Sequence, residues 1–338
     1  MRSTSGVTFT SCTSPLSGAA RGPRVSPVTL PGLSHSGGPG PCARIAAVNG
    51  AATHADAAAA LAVFLDRHPR LLVLTGAGCS APSGIPDYRD ADGAWKHTQP
   101  MTFADFTGSL KARRRYWAGS LRGWPRVRDA AANPAHLALA RLEQAGRVVR
   151  IVTQNVDGLH QRAGSRRVVD LHGRLDRVEC LSCGAVLHRE DVQSLLLGWN
   201  RHHASSADAA AGGANPGPAG VDGEVRPDGD SRVEATPDDL VVPDCAECGG
   251  LLKPAVVFFG EAVPRSRVDE GFRALDQADA LLIVGSSLMV YSGYRFVKAA
   301  RERGRPVALV NLGRTRADAE CSLKLERDCA TLLAEAVP

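Results

Sequence analysis

No stretch of this chain approaches the ~20 consecutive apolar residues that a bilayer-spanning helix needs. The longest candidates, Ala57–Leu65 and Ala278–Gly285, fall far short, so no membrane span is expected. Lysine is scarce: five of the 40 basic residues are lysine, and the net charge of +5 rests on arginine. The densest basic run, Lys111–Arg115, could meet phosphate or an acidic partner, but short charge runs are usually solvated helix faces, and nucleic acid is not an expected partner. No internal repeat is found. Acidic residues are absent before Asp56, in a stretch rich in Ser, Pro, Gly and Thr that carries Arg2, Arg21, Arg24 and Arg44. Residues 1–50 therefore read as a disordered tail. The same composition would suit a mitochondrial transit peptide, whereas the lack of a continuous apolar core argues against a secretory signal.

What is present describes a folded protein. Of its 338 residues, 44% are hydrophobic and 22% charged, close to the globular average and against whole-chain disorder. Nine cysteines, an odd number, include two C-x-x-C pairs, which argues for metal in a reducing compartment over a disulfide framework. The cytosol is the default location, and mitochondria the alternative if the N-terminus is a transit peptide.

Order begins near Thr53, where Thr53–Asp56 has capping-box character ahead of an alanine-rich helix ending around His68. Leu71–Leu74 is short, continuous and apolar, as expected of a strand buried on both faces of a parallel sheet. Similar runs recur at Val148–Thr153, Ala280–Val284 and Pro306–Val310. That recurrence predicts an α/β fold with a Rossmann-like, doubly wound parallel sheet. Residues 201–239, rich in Ala, Gly, Pro and Asp, form a flexible insertion between the two C-x-x-C pairs.

Gly76-Ala77-Gly78 directly after a buried strand is a candidate phosphate cradle, because glycines let backbone N–H groups approach a pyrophosphate. Its spacing departs from G-x-G-x-x-G, and a tight turn without ligand would also explain it. Two further strand ends, Gly285-Ser286-Ser287 and Asn311-Leu312-Gly313, favour a dinucleotide site at the carboxyl edge of the sheet. Cys180, Cys183, Cys245 and Cys248 form two knuckles, each followed by glycine, which suit one closed tetrahedral Zn²⁺ site of structural role. A redox-active pair is the competing account. His172, after Val168-Val169, is the strongest candidate general base, since imidazole titrates near pH 7. Gln154, Asn155 and Asp157 follow another strand, where they could bind a carboxamide or simply cap the next helix. Ile85–Arg89 is a stiff polar loop that could equally be a surface turn.

Taken in order, Gly76–Gly78, Gly84–Arg89, Thr153–Asp157, Leu171–Gly173, the paired C-x-x-C, Val256–Gly260 and Gly285–Ser287 closely resemble the sirtuin family. The resemblance runs from about 55 to 335, excepting the insertion. Arg115–Trp117, Gly123–Pro125, Gly164–Arg167 and Val290–Arg295 look like its class II branch, which includes a mitochondrial sirtuin and bacterial relatives.

The resemblance implies an NAD-binding Rossmann-like domain at 51–175 and 254–338 and a small zinc domain at 176–253. An acyl-lysine peptide would lie in the cleft between them. Gly76, Ala77 and Gly78 would cradle NAD phosphates, and Pro86, Asp87, Tyr88 and Arg89 would belong to the loop closing over it. Asn155 and Asp157 would line the nicotinamide pocket, with Gln154 near the ribose. Gly285, Ser286, Ser287, Asn311, Leu312, Gly313 and Cys329 would contact the adenosine half, and Val257, Phe258, Phe259 and Gly260 the peptide. With His172 as general base, the implied reaction moves an acyl group from lysine to ADP-ribose, releasing nicotinamide and 2′-O-acyl-ADP-ribose. The alternatives are a mono-ADP-ribosyltransferase on the same fold and a non-catalytic NAD-sensing module. Cys79 departs from the aliphatic residue common after the glycine loop. A tyrosine and an arginine three residues later mark succinyl-preferring members; here the pair is Tyr116 and Gly119, so dicarboxylic acyl groups are not expected.

Overall fold

The computed structural model describes residues 53–90, 92, 94–96, 100–201, 227, 229, 231 and 238–337. The expected tail, 1–50, and most of the expected insertion, 201–239, lie outside them.

The first helix, α1 (His54–Arg67), starts where the sequence signals it: Thr53 Oγ1 accepts the Asp56 N–H and the Asp56 carboxylate accepts the Thr53 N–H. Ala57, Ala58, Leu61, Phe64 and Leu65 recur at helical spacing and are the face it buries. The strands follow as β1 (Leu71–Thr75), β2 (Val148–Thr153), β3 (Val168–Asp170), β4 (Gly173–Cys180), β5 (Val186–His188), β6 (Leu252–Val256), β7 (Ala280–Val284), β8 (Val307–Val310) and β9 (Leu323–Leu325). Six of them form one sheet in the order β3-β2-β1-β7-β8-β9, every neighbouring pair parallel. The chain builds outward from β1 in one direction and then, from β7, in the other, so a topological switch point lies between β1 and β7.

Helices α2 (Ala77–Ser80), α3 (Phe103–Gly108), α4 (Leu110–Asp129), α5 (Pro134–Gln144), α6 (Leu159–Arg162), α7 (Arg189–Trp199), α8 (Arg265–Gln277), α9 (Tyr291–Glu302) and α10 (Cys329–Ala336), with a 3-10 turn at Ala81–Ser83, complete the described elements. Alternate residues of β1 serve opposite layers. Leu71 and Val73 pack with α1, α5 and α10, while Leu72 and Leu74 pack with α8 and α9. A strand sandwiched this way has no polar face, which is why it reads as an unbroken apolar run.

A second, antiparallel sheet, β5-β4-β6, packs against α4 and α7 around Tyr116, Trp117, Trp124, Val178, Val192 and Leu252. Arg189, 1% exposed, lies within 5.5 Å of the Trp117 and Trp124 rings and donates to Ser120; burial lowers its pKa to about 10. In the basic run, Arg113 donates to the carbonyls of Phe106 and Thr107, and Arg114 to that of Leu240. Those two guanidinium groups tie loops to α4 and are not a free anion-binding surface.

Candidate active site

Strands β1, β2, β7 and β8 end together, and beyond them opens a cleft of about 600 Å³. Gly76, Ala77 and Gly78 line it after β1, Gln154, Asn155 and Asp157 after β2, Gly285, Ser286 and Ser287 after β7, and Asn311 and Leu312 after β8. The volume suits a small-molecule site, and this edge of an open sheet is where ligands bind. Two glycine loops cross at its floor. Gly285 has φ +60°, and a Cβ on it would sit 2.1 Å from the Cys79 backbone nitrogen. Arg89, Arg295 and Arg314 also line the cleft, and Arg295 Nε is buried without a partner among the described residues. A buried guanidinium N–H calls for an anionic acceptor, so the donor set fits a pyrophosphate-bearing ligand.

The polar residues after β2 knit the strand ends together. Asn155 Nδ2 donates to the Gly76 carbonyl at 3.0 Å and to Ser80 Oγ at 2.9 Å. Ser80 donates in turn to Asp157 Oδ2, while Asp157 Oδ1 caps α6 by accepting the Leu159 N–H. Gln154 Oε1 accepts the Ser286 hydroxyl at 2.7 Å. Capping and site formation are therefore not alternatives here; one network does both.

His172 stands in the turn between β3 and β4. Gly173 makes that turn possible: it has φ +83°, and a Cβ would collide with the Ala255 carbonyl at 2.0 Å. The His172 carbonyl accepts the Val257 N–H, joining the turn to β6. The ring is half-buried in the cleft wall, with Nδ1 2.9 Å from the Gln154 carbonyl and Nε2 2.8 Å from Ser292 Oγ. Burial lowers its pKa to about 4, with Arg267 and Arg295 adding to that effect and the Gln154 carbonyl opposing it. At neutral pH the imidazole is uncharged and can accept a proton.

Residues 85–89 are anchored on the opposite wall. Ile85 is buried, Asp87 pairs with Lys96, and Arg89 stacks over Trp95 at 4.0 Å. Tyr88 and Trp95 meet Phe259 edge-on, with ring centroids 6.2 and 5.7 Å away. Val257, Phe258, Phe259 and Gly260 all line the cleft, and Phe259 pairs with Thr102 through the Phe103 N–H.

Cys180, Cys183, Cys245 and Cys248 converge from two matching turns, with sulfur atoms within 4.8 Å of one another and two pairs at 3.5 and 3.8 Å. Four thiolates around a tetrahedral Zn²⁺ at ~2.3 Å stand about 3.8 Å apart, so the donor set fits one zinc ion with no open position. A second group, Cys79, His136 and His160, is fully buried. There the Asn133 N–H donates to His136 Nδ1, leaving Nε2 protonated toward Cys79. In that tautomer the nitrogen aimed at Cys79 has no lone pair to offer a metal.

Among the residues expected from the sequence, Pro86 and Gly313 lie outside the cleft lining. Cys329 sits beneath it, with Sγ 3.5 Å from the Gly78 carbonyl. Sequence reasoning passed over Ser80, Ser292, Arg295 and Glu261, all of which line the cleft. Ser292 and Arg295 lie one turn apart on α9, inside the Val290–Arg295 run that carried the branch resemblance without being given a role at the site. Glu261 accepts the Phe258 N–H and pairs with Lys253, which is 1% exposed.

The sequence model of the Sir2 family matches residues 76–292. A relative from Xanthomonas campestris pv. campestris, named NAD-dependent protein deacetylase, is 54% identical over 276 residues, covering 81% of this chain and 89% of that one. NAD-dependent protein deacetylase 2 of Bradyrhizobium diazoefficiens is 54% identical over 272 residues, covering 80% and 94%. Among solved structures, one described as "Sir2-p53 peptide-NAD+" superposes with a TM-score of 0.62 at 29% identity, covering 81% of this chain and 94% of that chain.

Proposed function

Because the chain belongs to the Sir2 family and is an NAD-dependent protein deacetylase, we propose that His172 is its general base and that the cleft above β1, β2, β7 and β8 holds NAD. The observation that carries this reading is the neutral imidazole, fixed at both nitrogens and facing a cleft whose glycine loops and unpartnered Arg295 Nε suit a dinucleotide. Bound NAD supplies an activated ribose carbon, a nicotinamide leaving group and ribose hydroxyls able to receive an acyl group.

The chain's own residues do the rest. Gly76–Gly78 bring backbone to the phosphates, Gly285–Ser287 meet the adenosine half, and Arg295 supplies charge. Asn155 and Asp157 shape the pocket around the carboxamide and Gln154 that around the ribose. Pro86–Arg89 close the cofactor side, and Asn311–Gly313 with Cys329 form and support the adenosine end. His172 Nε2 takes a proton from a ribose hydroxyl, and enclosure by the aromatic wall of Tyr88, Trp95 and Phe259 keeps water from the reacting centre.

The polypeptide substrate carries an acyl-lysine and extends along Val257–Gly260, where backbone pairing binds with little demand on sequence. Residues 51–175 and 254–338 form the NAD domain and 176–253 the zinc domain. The four convergent cysteines support a zinc module, whose sheet runs slightly past both bounds, from Gly173 to Val256. The site of action is the cytoplasm, in keeping with a reduced C-x-x-C zinc site and relatives from bacteria.

The test is mass spectrometry of the purified protein with NAD and acetyl-, longer-acyl- and lipoyl-lysine peptides. Deacylated peptide with matching acyl-ADP-ribose, lost in His172→Ala while NAD still binds, is the expected result. Unchanged turnover in His172→Ala removes His172 as the base, and ADP-ribose added to protein without deacylation favours ADP-ribosyl transfer.

A further inference from the structure

We propose that Ser292 is the positioning residue of the His172 base, holding the Nε2 lone pair in place before reaction and accepting a hydrogen bond from the imidazolium after it. The inference rests on the role given to His172 above. The Gln154 carbonyl can only accept, so the 2.9 Å contact places a proton on Nδ1. In the neutral ring Nε2 then carries a lone pair, and the hydroxyl 2.8 Å away must donate to it. Ser292 is 6% exposed and sits at the start of α9, so its hydroxyl is not free to wander.

One residue links both ends of this clamp. The Gln154 backbone carbonyl orients Nδ1, and its side-chain amide packs on Gly293, where a Cβ would come within 2.7 Å. A side chain at 293 would press on that amide and pull it from its hydrogen bond with the Ser286 hydroxyl.

The proton balance is simple. A substrate hydroxyl O–H bond breaks, an Nε2–H bond forms, and the electron pair stays on the substrate oxygen. The single Nε2 lone pair cannot take two hydroxyls at once, so Ser292 lets go as the substrate hydroxyl enters, keeps its own proton and turns its oxygen toward the new Nε2–H. Hydrogen bonds to a charged partner are about twice as strong as neutral ones, so Ser292 stabilises the imidazolium more than the imidazole. Its net effect is to raise the basicity of a ring that burial, Arg267 on α8 and Arg295 on α9 all lower. Asp87, Asp90, Asp157 and Glu261 are the carboxylates lining the same cleft.

The first readout needs no substrate: a histidine NMR titration of the full-length protein, wild type against Ser292→Ala. The expected result is a His172 midpoint lower by half a unit or more, with the Nε2 resonance moved toward that of a free lone pair. In turnover, kcat falls about tenfold with the acid limb of kcat/KM displaced to lower pH, KM for NAD stays within about threefold, and Ser292→Thr restores both. Ser292→Cys, of similar volume and weaker hydrogen bonding, falls between and serves if the alanine variant does not fold. An unmoved midpoint, or a loss of kcat with an unmoved acid limb, overturns the proposal. His172→Ala in the same series separates the two readings. If it is inactive while Ser292→Ala behaves as wild type, only the role of Ser292 fails; if it retains full turnover, the base assignment itself fails.

Discussion

The side-chain amide of Asn155 donates to the backbone carbonyl of Gly76 at 3.0 Å, joining the ends of two adjacent parallel strands across the mouth of the cleft. A carboxylate of the same shape would face that carbonyl and the Ser80 oxygen, whose proton is already given to Asp157, with acceptors only. Asn155→Asp is therefore expected to lower stability by about 1–3 kcal/mol and to cut kcat/KM for NAD by roughly a hundredfold. Thermal unfolding and steady-state kinetics check both. Wild-type values in either would show that the amide does not hold the glycine loop.

The crossing of the two strand-end loops makes a sharper demand. At Gly285 an alanine would need a left-handed backbone and would also place its Cβ 2.1 Å from Cys79 N, a backbone atom that cannot swing aside. Gly285→Ala should cost about 3 kcal/mol or more, or prevent folding. Denaturant titration measures it, and a cost under about 1 kcal/mol would mean that the loops separate easily and that their contact does not shape the site.

Much of this was legible because the strongest signals are local. The capping box at Thr53 and Asp56 needs four residues, and β1, β2, β7 and β8 announce themselves because a strand buried on both faces leaves no polar position to interrupt the run. The cysteine pairs were readable for the same reason: a tetrahedral site needs two short turns of fixed spacing. Ser292 was not, since its partner His172 is 120 residues away and only the packing of α9 brings them together. Nothing in the sequence marks Lys253, yet it is 1% exposed, with Glu179, Glu261 and the Val256 carbonyl meeting its ammonium. The basic run at Lys111–Arg115, read as a solvated helix face, is one at Lys111 and Arg115, while carbonyls of Phe106, Thr107 and Leu240 take donors of Arg113 and Arg114.

The four-cysteine site predicts a metal dependence that chelation can test. Cys180 ends β4 and Cys245 precedes β6, so the ion would tie the central strand of the small sheet to the approach to its edge strand β6. Stripping it with a strong chelator should lower the unfolding temperature and open the four thiols to alkylation, because structural zinc binding is itself folding free energy. Elemental analysis without zinc, together with freely reacting thiols in the untreated protein, would refute the site.

Acid should destabilise the fold through its buried histidines, and the sign follows from their direction of shift. His136 is fully buried, and burial lowers its pKa to about 4 from the usual 6.5. His160, also buried, is held well below 6.5 by burial and by His136. Above pH 6.5 neither the folded nor the unfolded state binds a proton at His136, so its contribution to folding is unopposed. As pH falls below 6.5 the unfolded chain takes up a proton that the folded core refuses, and stability is lost until the folded ring titrates near 4. For His136 alone that loss is on the order of 3 kcal/mol across the window. His136→Gln keeps an acceptor for the Asn133 N–H and removes the titration. The variant should be less stable than wild type at pH 7.5 yet lose less on going to pH 5. Parallel stability–pH curves for the two proteins would mean that His136 is not held neutral by the fold.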